Sequence, residues 1–194
     1  MTKSMSAWLA GLCVGASAGA AGAALEPIAV VDLPSYLGTW YQVALVPNRF
    51  QSSCVSDTTA TYRERKDGNI DVINRCRRAD GSFDEAVGLA RPRGEVAGSQ
   101  LRPARLEVSF LPQWLRWAQA IGGWGWGAYW VIQLAPDYRY AVVGESSREY
   151  LWVLSRTPEL APEDDVAIRA TLQKQGFDLT RLQAHTHGKR QAQP

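Results

Sequence analysis

The stretch Tyr150-Leu151-Trp152-Val153-Leu154-Ser155-Arg156, set against Gly38-Thr39-Trp40-Tyr41 more than a hundred residues earlier, decides the fold. The first reads as a strand that ends in an arginine, the second as a strand that opens on a tryptophan. An indole and a guanidinium stack favourably, because the ring face is electron-rich and the planar cation is weakly hydrated. If both strands belong to one closed sheet, the pair plugs one end and leaves the other open.

The intervening sequence supplies such a sheet. Strand signals recur over 40–46, 58–64, 70–76, 83–91, 105–111, 128–134, 138–144 and 150–156. Between them stand turn formers: Pro47-Asn48, Lys66-Asp67-Gly68-Asn69, Ala79-Asp80-Gly81, the segment 92–103, Ala135-Pro136-Asp137 and Glu145-Ser146-Ser147. One helix follows, with Pro162 in its first turn, Glu163, Asp164 and Asp165 complementing its dipole as surface carboxylates, and Gly176 as a stop. Its narrow apolar face, Val166 with Ala170 and Ile168 with Leu172, suits packing outside the sheet. Residues 177–182 read as a short extra strand and 185–194 as a disordered polar tail. The reading is an all-β fold over 33–184: an eight-stranded antiparallel up-and-down barrel with one C-terminal α-helix packed outside, in preference to a sandwich.

Strand direction alternates in such a barrel, so the ends can be counted. If Trp40 marks the base, Arg156 returns to its level at the end of the last strand. The turn carrying Asp137 and Tyr138 arrives there too. The connections after the first, third, fifth and seventh strands fall at the open rim.

Gly38-x-Trp40, Pro136-Asp137-Tyr138-Arg139-Tyr140 and Trp152-Val153-Leu154-Ser155-Arg156 together resemble the three short signature regions of the lipocalins. The flanking text, Leu37 to Tyr41, Asp71-Val72-Ile73-Asn74 and Ser155-Arg156-Thr157-Pro158, is similar to the bacterial lipocalin and apolipoprotein D branch. The resemblance implies a cup for a hydrophobic small molecule, with Gly38, Trp40, Asp137, Tyr138 and Arg156 as its structural base. Pro136 departs from the family's frequent Thr.

Residues 1–24 read as a secretory signal: Lys3 and the free amine, an apolar stretch from Ala7 to Ala20, and Ala21-Gly22-Ala23 as a cleavage site. The stretch is mostly Ala and Gly, too weakly lipophilic for a membrane span. Cys13 follows Ala10-Gly11-Leu12, a poor lipobox, so soluble export is favoured: a periplasmic protein, with outer-membrane association left open. A formal charge of +2 with scattered Lys and Arg lacks the basic stripe of a nucleic-acid binder. The mature chain keeps only Cys54 and Cys76, most simply one disulfide closing a loop of about 23 residues and contributing roughly 3 kcal/mol. Two free thiols are the alternative.

Alternation from the base anchors, with the family resemblance, sets the inner wall as Ala60, Tyr62, Val72, Asn74, Ala86, Gly88, Val108, Phe110, Tyr129, Val131, Ala141, Val143, Tyr150 and Trp152. Several are small, which leaves room for a ligand, and Tyr62, Asn74, Tyr129 and Tyr150 offer polar handles for its head. A long-chain fatty acid or lysophospholipid fits this lining. The connection 111–127 crowds Trp114, Leu115, Trp117, Ile121, Trp124 and Trp126 at the rim. It suits either a membrane interface, or a lid or second subunit in a homodimer.

No histidine lies among the strands, since His185 and His187 are both in the tail, and no zinc spacing or phosphate-cradling glycine motif occurs. A binding protein without catalytic residues, metal or cofactor is therefore the expected class. The alternatives are an enzyme on the same frame acting on a hydrophobic substrate, and a tetrapyrrole or carotenoid binder, which purified protein would reveal by its colour.

Overall fold

The computed structural model describes residues 24–94, 100–112 and 125–188. The expected signal, 1–24, falls outside them but for Ala24. Eight strands close into one barrel: β2 (Gly38–Leu45), β3 (Ser56–Glu64), β4 (Ile70–Arg77), β5 (Phe83–Pro92), β7 (Arg105–Ser109), β8 (Gly127–Leu134), β9 (Tyr140–Gly144) and β10 (Leu151–Ser155). Each pairs antiparallel with the next, and β10 returns to pair with β2. The eight strands read from the sequence are all present. The seventh begins at Tyr140, because Tyr138 has φ +60° and belongs to the preceding turn.

Three elements of the base are not in the sequence reading. β1 (Val30–Asp32) pairs with β6 (Leu101–Pro103), a three-residue strand inside the segment read as a turn. Between β1 and β2 lies the single turn of helix α1 (Leu33–Tyr36), whose N-cap Asp32 accepts the Ser35 N–H. This ribbon and turn bury Val31, Leu33 and Tyr36 in the end of the barrel.

There the Arg156 guanidinium lies 3.7 Å over the Trp40 ring, and Trp40 is fully buried. Its nitrogens donate to the carbonyls of Ser35 (2.7 Å), Leu37 (2.9 Å) and Thr39 (3.0 Å), gathering the end of α1 and the start of β2 onto one cation. Gly38 sits beneath this contact with φ +89°, and a Cβ there would stand 3.6 Å from Arg156 Nη1. The glycine two residues before the tryptophan thus serves a conformation that L side chains rarely adopt. The Arg156 N–H donates to the Arg139 carbonyl, and the Tyr138 hydroxyl accepts the Asp32 N–H, so the turn 135–139 stands at the same end.

Outside the barrel lies a second apolar cluster, where Tyr140, Val142, Leu151 and Val153 meet Ile168 and Leu172 of α2 (Pro162–Lys174). The helix stripe is Asp164, Ile168 and Leu172, spaced by four residues. Val166, 68 % exposed, and Ala170 point to solvent, correcting the wider face expected of them. Asp164 is likewise not a surface carboxylate. It is buried and takes two hydrogen bonds from Arg139, 2.6 and 2.8 Å, which fasten the helix to the base turn. Gly176, at φ +77°, ends the helix while Phe177 N–H reaches back to the Leu172 carbonyl.

The strand expected over 177–182 is displaced. Residues Leu179–Arg181 form a 3₁₀ turn capped by Asp178, and the strand is β11 (Gln183–Ala184), paired with Leu45 and Ala44 of β2. Beyond Tyr41, β2 parts from β3, and the chain after β11 enters the opening: His185 N–H donates to the Val43 carbonyl and Asp57 N–H to the Thr186 carbonyl. Residues 185–188 are therefore tied down rather than free, in contrast to the expected tail. At the rim, Cys54 and Cys76 form a disulfide with Cα atoms 5.5 Å apart, which joins the loop before β3 to the end of β4.

Arg156→Ala removes a cation–π contact and three charge-assisted hydrogen bonds, and is expected to cost about 2–4 kcal/mol in urea unfolding. Arg156→Lys should recover less than half of this, since an ammonium cannot stack and fork together. An unchanged unfolding midpoint for Arg156→Ala would show that the base is held by other contacts.

Candidate ligand-binding site

Alternation along the strands carries one set of side chains into the barrel. Ala60, Tyr62, Val72, Val131, Ala141 and Val143 are buried in a single interior cluster with Leu154, and Val108, Tyr129 and Trp152 pack partly buried against it. Gly88 is buried because the Phe110 ring occupies the place a side chain would take, 2.8 Å from an added Cβ. Four residues expected on this wall lie toward the mouth instead. Ala86, opposite Asn74, is exposed, Phe110 is 42 % exposed, and Asn74 and Tyr150 are half-buried. Phe110 and Tyr150 stand just beyond the ends of β7 and β10, and Asn74 and Ala86 pair three residues inside the ends of β4 and β5, so the alternation is kept while the cover is lost.

Tyr150 stacks on Trp152 at 6.1 Å and meets Phe50 at 5.6 Å, giving the mouth an aromatic edge. Of the rim residues, Trp114, Leu115, Trp117, Ile121 and Trp124 lie outside the described residues. Trp126 is half-buried with the Arg91 guanidinium 3.9 Å above its ring.

The floor carries the polar groups. Tyr36 arrives from α1, Tyr62 from β3 and Tyr129 from β8. The Tyr129 hydroxyl lies 2.8 Å from that of Tyr36 and 2.7 Å from that of Tyr62. Three hydroxyls own three protons, yet two contacts use only two of them. One O–H is therefore left without an acceptor among the described residues, whichever way the pair of bonds runs. Beside the three rings is a cavity of about 10 Å³, lined also by Val31, Leu106 and Val131, room for roughly one water. Burial drives all three phenols toward the neutral form: Tyr62 is pushed up to about 12, and Tyr36 and Tyr129 are raised well above the ordinary tyrosine value, Tyr62 adding to burial at Tyr36 and both neighbours adding to it at Tyr129. They are donors at any physiological pH.

Tyr36 escaped the sequence reading because it stands in a helical turn before the first barrel strand, where no two-residue period reaches it. Its spacing of four before Trp40 is the signal that finds it, since the Trp40 N–H donates to the Tyr36 carbonyl at 2.8 Å and the rings meet at 5.1 Å. His185 and His187 lie at the β2–β3 opening, His185 bonded to Thr58 (2.7 Å) and His187 to the Gln42 carbonyl (2.9 Å). Burial, then the adjacent His187, holds His185 below the ordinary histidine value. Among the described residues no three His, Cys, Asp or Glu side chains converge as a metal site requires.

Residues 31–187 match the family model described as a lipocalin-like domain. Temperature-induced lipocalin-1 of Arabidopsis thaliana is 32 % identical over 161 residues, 81 % of this chain and 80 % of the relative. The outer membrane lipoprotein Blc of Escherichia coli (strain K12) is 36 % identical over 152 residues, 78 % and 76 %. Apolipoprotein D of Mus musculus is 29 % identical, covering 78 % and 74 %. Among solved structures, insecticyanin from the tobacco hornworm Manduca sexta superposes with a TM-score of 0.63 at 15 % identity, covering 87 % of each chain. Lobster apocrustacyanin A1 does so with 0.59 at 18 %, covering 80 % and 79 %. At such identities the two structures speak for the fold alone.

The tyrosine floor has a readable pH signature. A phenol whose folded value exceeds its unfolded value of about 10 contributes stability that is complete below pH 10 and is lost as pH rises through the folded value. In an ultraviolet titration, three of the seven tyrosines should ionise only as the protein unfolds in strong alkali. Seven tyrosines titrating together in folded protein would contradict the hydroxyl cluster.

Proposed function

The chain belongs to the lipocalin family, and on that premise we propose that it binds and carries a long-chain fatty acid or lysophospholipid in the bacterial cell envelope. The observation that carries this reading is the tyrosine floor under small apolar walls. As it stands the interior closes around about 10 Å³, so an acyl chain would have to part these walls on entry; Val72, Ala141, Val143, Val108 and Val131 would then offer it no polar competitor, and the spare phenolic O–H would offer one hydrogen bond to an acceptor oxygen of its head. A group that stays neutral discriminates little between a carboxylate and an ester carbonyl, which suits both ligand classes. The role is that of a carrier rather than an enzyme. Chemistry at neutral pH needs a group poised near neutrality, and burial moves these phenols away from it.

An exported, envelope location agrees with the leader-like residues 1–24 and with relatives whose name is outer membrane lipoprotein. The tryptophan-rich connection 111–127 would bring the mouth to a lipid surface. Half-burying three indoles there contributes roughly 5–8 kcal/mol before ordering costs, enough for reversible contact. Exposed Phe50 and Phe110 beside the mouth support that orientation.

Native mass spectrometry of protein exported in a bacterial host should reveal a co-purifying lipid of several hundred daltons. Protein that is always empty and also ignores a fluorescent fatty acid would count against the carrier role. Separately, Trp114→Ser with Trp117→Ser should reduce co-sedimentation with liposomes at least about threefold. Unchanged co-sedimentation would assign the loop to a lid or a subunit contact.

A further inference from the structure

The barrel wall has a seam between β2 and β3. These strands pair from Gly38 with Tyr62 to Tyr41 with Thr59 and then separate toward the mouth. Residues 183–188 fill the gap as a strap. On one side Gln183 and Ala184 pair with Leu45 and Ala44, and the His185 N–H donates to the Val43 carbonyl. On the other, the Asp57 N–H donates to the Thr186 carbonyl, and the Gly188 N–H donates to Asp57 Oδ1 at 2.7 Å. Asp57 makes both contacts from φ +55°, a conformation that a non-glycine residue enters only where its surroundings hold it.

Both histidines of the chain stand on this strap and both anchor it. His185 Nε2 lies 2.7 Å from the hydroxyl of the buried Thr58, and His187 Nε2 lies 2.9 Å from the Gln42 carbonyl with its ring edge-on to Tyr41. The two imidazoles are 5.8 Å apart. His185 is faced by His187 on the strap, by Asp57 and the Ser56 carbonyl on β3, and through Asp57 by Arg77 of β4. Arg49, from the loop after β2, lines the same mouth cavity of about 600 Å³ as Gln183, Ala184 and His185. Asp57 is the carboxylate among these groups, and Arg77 already holds its Oδ2 at 2.7 Å while the Gly188 N–H holds its Oδ1. A proton on His185 therefore brings a half-buried charge to a place whose counter-ion is already engaged.

We propose that residues 183–188 are an acid-released strap: docked at neutral pH they close the flank of the mouth, and a proton on His185 frees them and lets β2 and β3 part. Burial, then His187, outweighs Asp57 and the Ser56 carbonyl and keeps the folded value of His185 below the unfolded one. The docking contribution of this ring is thus complete above the unfolded value and is lost as pH falls through the folded value. The consequence for ligand rests on the carrier reading. An interior closed around about 10 Å³ admits an acyl chain only where its walls separate, and above Tyr41 no direct β2–β3 ladder resists that separation once the strap has left.

NMR of the ligand-free exported protein, titrated from about pH 7.5 to about pH 5, tests the strap. The amide signals of Asp57, His185 and Gly188 should move together with the ring signal of His185, at a midpoint below the ordinary histidine value, while the amides of β9 stay in place. Amides that stay while the ring titrates would overturn the release, and amides that move only in the carboxylate range would overturn the histidine trigger. In the double variant His185→Gln, His187→Gln the same amides should be constant over this range; a change as large as in the native chain would again overturn the trigger. A bound fluorescent fatty acid should dissociate at least about threefold faster at the lower pH from the native chain, and at one rate throughout from the double variant. Release of the strap without faster dissociation would overturn its part in ligand exit. A chain that never binds the fatty acid would count against the carrier role, and the amide titration would still decide the strap.

Discussion

The stacking of Arg156 on Trp40 is the constraint on which the remainder of the molecule rests. A closed barrel of antiparallel strands has two ends, and an apolar interior open at both would drain its contents to water. Arg156 resolves this by doing two jobs with one planar cation. It covers the indole face at 3.7 Å and draws together three carbonyls from residues 35–39 that would otherwise end unpaired at the barrel floor. The positive φ of Gly38 and the short turn α1 follow from the need to bring those carbonyls under one guanidinium.

With the base shut, the two faces of the sheet divide their tasks. The inward face combines small apolar side chains with a tyrosine floor. The outward face of β8, β9 and β10 builds a second core with α2, fastened by the buried Asp164 to Arg139 pair. The same five-residue strand, β10, serves both: Trp152 and Leu154 face in, Leu151 and Val153 face the helix. A buried carboxylate beside an arginine of the base turn also couples the position of the helix to the end of the barrel that must not open.

Much of this was legible in the sequence because a two-residue period survives wherever a strand is long and one face is buried. The eight barrel strands and most of the inner wall follow from it, while the Trp40 and Arg156 anchors follow from their places at opposite strand ends and the cysteine pair from being the two left beyond the leader-like segment. The period fails for pieces too short to show it. β1 and β6 are three residues each and gain their pairing from partners about seventy residues away, and β11 is two. On α2, a narrow stripe of Asp164, Ile168 and Leu172 hides in the sequence because one of its members is charged. The hydrogen bonds from the Trp152 indole N–H to the Gln51 carbonyl oxygen, and from the Gln51 amide to Gln42, are invisible for a different reason. β2 carries an irregularity that sets Gln42 opposite Leu154 and Leu45 opposite Trp152, so simple alternation loses the upper half of that strand. Tyr36 precedes the first barrel strand and joins the floor only through the fold of α1.

The central claim is that a base-sealed barrel holds an acyl chain above a tyrosine floor, and isotope-filtered NMR of the protein loaded with uniformly ¹³C-labelled palmitate tests it most directly. The account predicts intermolecular contacts from the acyl protons to the methyls of Val108, Val131 and Val143 and to the ring protons of Tyr129. Palmitate whose contacts fall only on the barrel exterior, or which shows none at saturating concentration, would contradict it.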